Sequence, residues 1–188
     1  MGMNTRYVKE YFYKKKIRSM FVWNLEIIAA ILLAAAFSWF FCRSVVVQEG
    51  SMEPTLVPGE RVLMDSAWSR LSSPKRGDII AFRTSEDKKA SIHIKRVIAL
   101  PGETVQIKDG QILINGEVYN EKDEFPAITN AGLASEPITV GKGQYFVLGD
   151  NRNNSEDSRH NGMGLVNSDR IVGKLWFTIS PWKKIGFV

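Results

Sequence analysis

The chain has 188 residues, with 25 Lys and Arg against 20 Asp and Glu for a net charge of +5, a length that suits one domain with a small appendage. The excess is concentrated: residues 1–19 hold Arg6, Lys9, Lys14, Lys15, Lys16 and Arg18 against Glu10 alone, leaving 19 basic and 19 acidic residues from Met20 onward. A neutral body argues against a nucleic-acid-binding protein, which concentrates basic charge on a folded face. The single cysteine, Cys42, excludes an intramolecular disulfide and a multi-cysteine zinc cluster, and His93 and His160 are the only histidines. Only a carboxylate site for a hard cation stays open to a metal.

After the basic tail comes the apolar stretch Met20 to Cys42, MFVWNLEIIAAILLAAAFSWFFC. As a helix, 23 residues span roughly 34 Å, enough for a bilayer core of about 30 Å. A buried core helix and a cleavable secretory signal are the rival readings. The basic flank disfavours the first. A cleavage site needs small residues in an A-x-A-like pattern, and Phe40, Phe41, Cys42 and Arg43 fill that place, so an uncleaved anchor is expected. The same bulky residues disfavour Cys42 as a lipid-attachment site. By the positive-inside rule the N-terminus is cytoplasmic and the rest extracytoplasmic. Three parts follow: a basic cytoplasmic tail over 1–19, a transmembrane anchor over 20–42, and an extracytoplasmic domain over 43–188.

From Val45 the helical period disappears. Short apolar runs punctuated by Gly, Pro, Asn and Asp predict strands over Val45–Gln48, Arg61–Asp65, Asp78–Arg83, Ser91–Ala99, Thr104–Lys108, Gln111–Ile114, Gly116–Tyr119, Gln144–Leu148 and Ile171–Ser180. Asp109-Gly110 and Asn115-Gly116 between apolar runs are hairpin signals. Asn120–Pro137 has little periodicity and reads as a loop or small excursion. The fold class is mainly β behind one N-terminal membrane helix.

Several motif matches carry no chemistry. S-x-x-K occurs at Ser72/Lys75, Ser85/Lys88 and Ser180/Lys183 without S-D-N or K-T-G. Asn153-Asn154-Ser155 matches a glycosylation sequon. Asp150 to Asn154 fails as a calcium loop, because Arg152 sits where an acceptor oxygen is required.

Three other segments stand out. Gly50-Ser51-Met52-Glu53-Pro54-Thr55-Leu56 reads either as a plain turn or as a loop presenting a serine. In Ser91–Glu103, strand alternation puts His93, Lys95 and Val97 on one face and Ile92, Ile94, Arg96 and Ile98 on the other. Lys95 in so apolar a strand is then either buried or snorkelling. Gly149 to Arg159 is eleven residues without an apolar side chain, either a solvated loop or an ordered one with Asp and Arg paired.

Together and in this order, these segments resemble the type I signal peptidase family. Ser51-Met52-x-Pro54-Thr55-Leu56 is similar to its nucleophile box, and Arg76-Gly77-Asp78-Ile79-Ile80-Ala81-Phe82 to its R-G-D-I strand. Lys95-Arg96-Val97-Ile98 through Leu100-Pro101-Gly102-Glu103 is similar to its lysine box. Gly149-Asp150-Asn151-Arg152 with Ser155, Asp157, Ser158 and Arg159 is similar to its last box, and Gly164-Leu165-Val166 and Ile171-Val172-Gly173-Lys174 continue the likeness. The resemblance covers most of residues 20–180. It implies a membrane-anchored β-rich serine protease that cleaves signal peptides from exported preproteins after small residues at −3 and −1. Ser51 is then the nucleophile and Lys95 the general base. Ser155 hydrogen-bonds the lysine, Asp150, Asp157, Arg96 and Arg159 brace the site, and Met52 contacts substrate. Neither metal nor cofactor is implied. The partners are preproteins and the lipid bilayer, with no nucleic acid. Some relatives place a hydroxyl residue two before the nucleophile to assist the oxyanion. Here that residue is Glu49, which does not suit an anion and is expected to point elsewhere, leaving the Ser51 backbone N–H as the candidate donor.

Physical chemistry sets a condition on this reading. A free lysine has a pKa near ~10.4, so a base role requires depression by burial. No carboxylate is then expected to reach Lys95, and Asp150 and Asp157 are expected to face arginines. Ser51 lies nine residues after Cys42, at most roughly 30 Å along the chain, which keeps it near the outer membrane surface. Trp176, Phe177, Trp182 and Phe187 read equally as a seat on lipid or as core. Three alternatives stay open: a Ser-His hydrolase using His93, a Ser-Lys self-cleaving regulator, and a membrane-tethered β module without catalysis.

Overall fold

A computed structural model of the chain describes residues 19–36, 42–65, 72–85, 87 and 90–188. Two compact units divide it, residues 1–40 and 41–188.

In the first unit, helix α1 spans Ser19–Ala36, is apolar enough to cross a membrane and is fully exposed. Its polar Asn24 is satisfied internally, Nδ2 donating to the Met20 carbonyl one turn back at 2.8 Å. Residues 37–41 of the expected anchor lie outside the described residues. Cys42, its expected last residue, belongs instead to a strand paired with Asp65.

The second unit is β throughout. Its strands are β1 (Cys42–Val46), β2 (Arg61–Asp65), β3 (Ile79–Arg83), β4 (Ile92–Ala99), β5 (Thr104–Lys108), β6 (Gln111–Ile114), β7 (Glu117–Val118), β8 (Ile138–Thr139), β9 (Gln144–Leu148), β10 (Val166–Asn167), β11 (Ile171–Ser180) and β12 (Gly186–Phe187). The larger sheet runs β1-β2-β11-β3-β4-β9-β10 with β12 added beside β11, and the smaller runs β7-β6-β5-β8. The two predicted hairpin turns form as expected. Asp109 and Gly110 have φ of 52° and 77°, and Asn115 and Gly116 of 53° and 84°, the positive pair a type I′ turn demands. Residues 120–137 carry no strand, only a short 3-10 turn at Gly132–Ser135.

Strand β4 divides the core. Its register sets Lys95 opposite Ile80 and His93 opposite Phe82 on β3, and Val97 opposite Val147 on β9. Ile80, Phe82, Val97 and Val147 form one buried cluster. Ile94 faces the other way, into a cluster with Val47, Met52, Leu56, Ile79 and Ala81. The alternation read from the sequence therefore holds. A register shift between Val97 and Ala99 then turns the strand, and Ile98 and Ala99 enter a third cluster shared with β5 and β6. Arg76 locks this bend, donating from Nη1 to the Ile98 carbonyl at 2.6 Å and from Nη2 to Glu103 at 2.5 Å. The arginine of the R-G-D-I segment and the glutamate of the P-G-E turn are thus one structural device.

Candidate active site

Ser51 sits in the connection between β1 and β2. The hairpin stem closes where Val47 N–H donates to Glu60 O and Gly59 N–H to Val47 O, both at 2.9 Å. Residues 48–58 bulge from that stem, and Gly50–Met52 make one 3-10 turn in which Ser51 and Met52 are buried. The polar loop after β9 holds this turn from outside: Asn151 N–H donates to Ser51 O at 3.0 Å and its Nδ2 to Gly50 O at 3.2 Å. Gly149 permits the approach, since a Cβ there would collide with the Ser51 carbonyl and the Ser155 hydroxyl.

Lys95 reaches Ser51 from β4. Its Nζ lies 2.6 Å from Ser51 Oγ, and its side chain is wholly buried. Burial pushes the Lys95 pKa below its ordinary value, while the Glu49 carboxylate pulls the other way. Glu49 is a correction to the expectation that it points elsewhere and that no carboxylate reaches Lys95. Its Oε2 lies 3.4 Å from Lys95 Nζ, and its Oε1 3.2 Å from His93 Nδ1. An extended residue at position 49, with φ of −110°, turns its side chain back over the neighbouring strand. Ser51 Oγ is thus bonded to Lys95, while His93 faces Glu49 and stacks near Phe82 with ring centroids 6.0 Å apart.

The remaining acids are neutralised by arginines, as expected. Asp150 receives two bonds from Arg96, at 2.8 and 2.6 Å, and a third from Thr55 Oγ1 at 2.6 Å. Asp157 receives Nε and Nη2 of Arg159, both at 2.8 Å, and the Gly149 N–H at 3.1 Å. Bidentate pairs of this kind fix geometry as well as charge. Ser155 departs from expectation: its Oγ is buried and has no hydrogen-bond partner, so the implied bond to Lys95 is not formed in this arrangement. Met52 is fully buried. With Val47, Gln48, Glu49, Ser51, Ile92 and Ile94 it lines a small cleft beside the nucleophile.

Sequence reasoning gives Asn151 and Thr55 no role of their own, yet they tie the serine turn to the polar loop. It also misses how residues 120–137 are held. Arg152 makes a bidentate pair with Glu121 at 2.5 and 2.6 Å, and Phe125 lies under two guanidinium groups, 5.4 Å from Arg96 and 4.2 Å from Arg152. The only sequence signal is the wealth of unassigned donors in Gly149–Arg159. Among the described residues, no group of three or more His, Cys, Asp and Glu side chains has the geometry to hold a metal ion.

The fold thus brings a serine hydroxyl, a nucleophile type, to within 2.6 Å of a buried lysine amine, a base type. Residues 20–182 match the family described as signal peptidase, peptidase S26. Signal peptidase I T of Bacillus subtilis (strain 168) is 41% identical over 180 residues, covering 92% of this chain and 91% of that protein. A signal peptidase I of Bacillus licheniformis is 38% identical over 178 residues, covering 90% and 94%. A crystal structure of a signal peptidase I from Enterococcus faecalis V583 covers 55% of this chain and 97% of its own, at 34% identity and a TM-score of 0.45. The chain belongs to the S26 signal peptidase family of serine peptidases.

Proposed function

We propose that this protein is a membrane-anchored signal peptidase that cuts exported preproteins after small residues at −3 and −1, with Ser51 as nucleophile and Lys95 as base. The observation that carries this reading is the 2.6 Å contact between Lys95 Nζ and Ser51 Oγ, with the lysine wholly buried. Neutral Lys95 takes the Oγ proton as Oγ bonds to the scissile carbonyl carbon. The oxyanion forms beside the backbone N–H of Ser51. The Lys95 ammonium then returns the proton to the departing amine, leaving an ester on Ser51. In the second half, Lys95 deprotonates a water that attacks the ester, and the proton returns to Oγ as the acid departs. In this reading Ser155, whose buried Oγ has no hydrogen-bond partner, accepts a hydrogen bond from Lys95 once Ser51 Oγ is engaged with the carbonyl. Such a bond would relieve a penalty of about 1–3 kcal/mol for an unsatisfied buried group.

Substrate recognition follows from the edges around the serine. Strand β4 pairs with β9 only over Arg96–Ala99, so Ile92–Lys95 lack a partner on that side among the described residues. An extended peptide adds there as a strand and offers alternate side chains to the protein. In this reading the −1 residue must be small, because the cleft that Met52, Ile92 and Ile94 share with Gln48, Glu49 and Ser51 is narrow. Helix α1 crosses the bilayer with the basic tail in the cytoplasm and the β domain outside. Trp182 and Phe187 are more than four-fifths exposed, and Phe187 packs on Trp176 and Phe177 with centroids 6.1 and 5.2 Å apart. This rim seats the domain on lipid.

The test uses detergent-solubilised full-length protein and a synthetic preprotein with Ala at −3 and −1, the cut read by mass spectrometry. Cleavage after the −1 Ala that disappears in both Ser51→Ala and Lys95→Ala is expected. No cleavage by folded wild type would refute the assignment for such substrates. Cleavage surviving Lys95→Ala would overturn the dyad.

A further inference from the structure

Among the described residues, Glu49 is the one carboxylate within hydrogen-bond reach of Lys95 Nζ, at 3.4 Å. Its second oxygen faces His93 Nδ1 at 3.2 Å, so one side chain bridges two basic groups that share a face of β4. Each other charge around Lys95 has a different status. On the polar loop, Asp157 is wholly buried and saturated by Arg159 and the Gly149 N–H. Exposed Glu156 acts on Lys95 only through its field. Across the ladder, Ile80 and Phe82 of β3 carry no charge. Asp150 is committed to Arg96 and Thr55.

We propose that Glu49 is a positioning residue whose carboxylate clamps Lys95 and His93 at the mouth of the cleft, and so fixes the pH at which the free enzyme acquires its base. The proposal rests on the reading of Lys95 as general base. Glu49 is 47% exposed while Lys95 is fully buried, so the clamp is anchored in solvent and removable without opening the core. The sign follows from charge. Removing the carboxylate takes away an attraction for the ammonium, so the lysine releases its proton at lower pH. Solvent screens a half-exposed ion pair, which limits the shift to roughly 0.7 pH unit.

The experiment measures kcat/KM against pH for full-length wild type, Glu49→Gln, Glu49→Asp and Lys95→Ala in detergent, because this ratio reports groups of the free enzyme. Glu49→Gln is expected to move the acid limb down by about half a pH unit, raising activity below the limb about three-fold, with an unchanged melting temperature. Glu49→Asp is expected to return the limb toward wild type. A Glu49→Gln limb that stays in place or moves up overturns the proposal, even if activity falls through KM. Full activity in Lys95→Ala overturns the dyad itself, an outcome separate from an inactive Lys95→Ala with an unmoved Glu49→Gln limb.

Discussion

The polar loop Gly149–Arg159 and the Ser51–Lys95 cleft meet at the Ser51 carbonyl, and both bury charge, but they handle it oppositely. In the loop, Asp150 and Asp157 are as inaccessible as Lys95, and each is met by two guanidinium nitrogens and a further donor. Around Lys95, among the described residues, the only close opposite charge is a half-exposed carboxylate at 3.4 Å. Burial alone therefore does not decide a group's character; the number of partners does. Saturated charges become girders, and the undersupplied one is the group proposed as the base.

The comparison can be broken most visibly at Lys95. Lys95→Met should lower kcat by about 10⁴-fold or more, measured on the synthetic preprotein. The same variant should be more stable than wild type at neutral pH, because it removes a poorly compensated buried cation. The unfolded chain holds the Lys95 proton up to a pKa near ~10.4, whereas the folded protein releases it at lower pH. Lys95 is therefore destabilising when charged, and its penalty fades as pH rises through that window. Denaturant titrations should show the gap between variant and wild type closing toward pH ~10.4.

On the loop side, Asp157→Ala leaves Arg159 buried without its anion. The expected loss is about 3–5 kcal/mol, read from urea midpoints, the opposite sign to the lysine variant. A smaller effect is expected at the joint between the regions. Gly149→Ala forces the new methyl against the Ser51 carbonyl and the Ser155 hydroxyl, for a loss of about 1–3 kcal/mol with a fall in kcat larger than the change in KM. Smallest of all, EDTA should leave the rate unchanged, since the Ser-Lys proton shuttle uses side chains alone. Loss of activity with EDTA and recovery with zinc would sink the dyad.

Much of the fold is legible wherever the signal is local. β2, β5, β6, β9 and β11 fall on their expected residues, and two turns follow from Asp-Gly and Asn-Gly. β8, β10 and β12 are two residues each, too short for any periodicity, and exist because a partner strand lies beside them. The pairing of Asp150 and Asp157 with arginines is readable because buried carboxylates require cations. The direction of Glu49 is not, because it depends on how an eleven-residue bulge folds over β4. Residues 120–137 look structureless because ion pairs and an aromatic ring between two arginines hold them, not a repeating apolar face.

Strand β4 carries the proposed base and its brace on consecutive residues. Lys95 faces the serine, and Arg96, on the opposite side, grips Asp150. Because strand side chains alternate, deleting a single residue between Ile92 and Lys95 would carry Arg96 into the place of Lys95. A guanidinium, which keeps its proton at every working pH, would then stand at Ser51, while a valine faced the buried aspartate. On the proposed mechanism, a one-residue deletion here removes the base as surely as replacing the lysine.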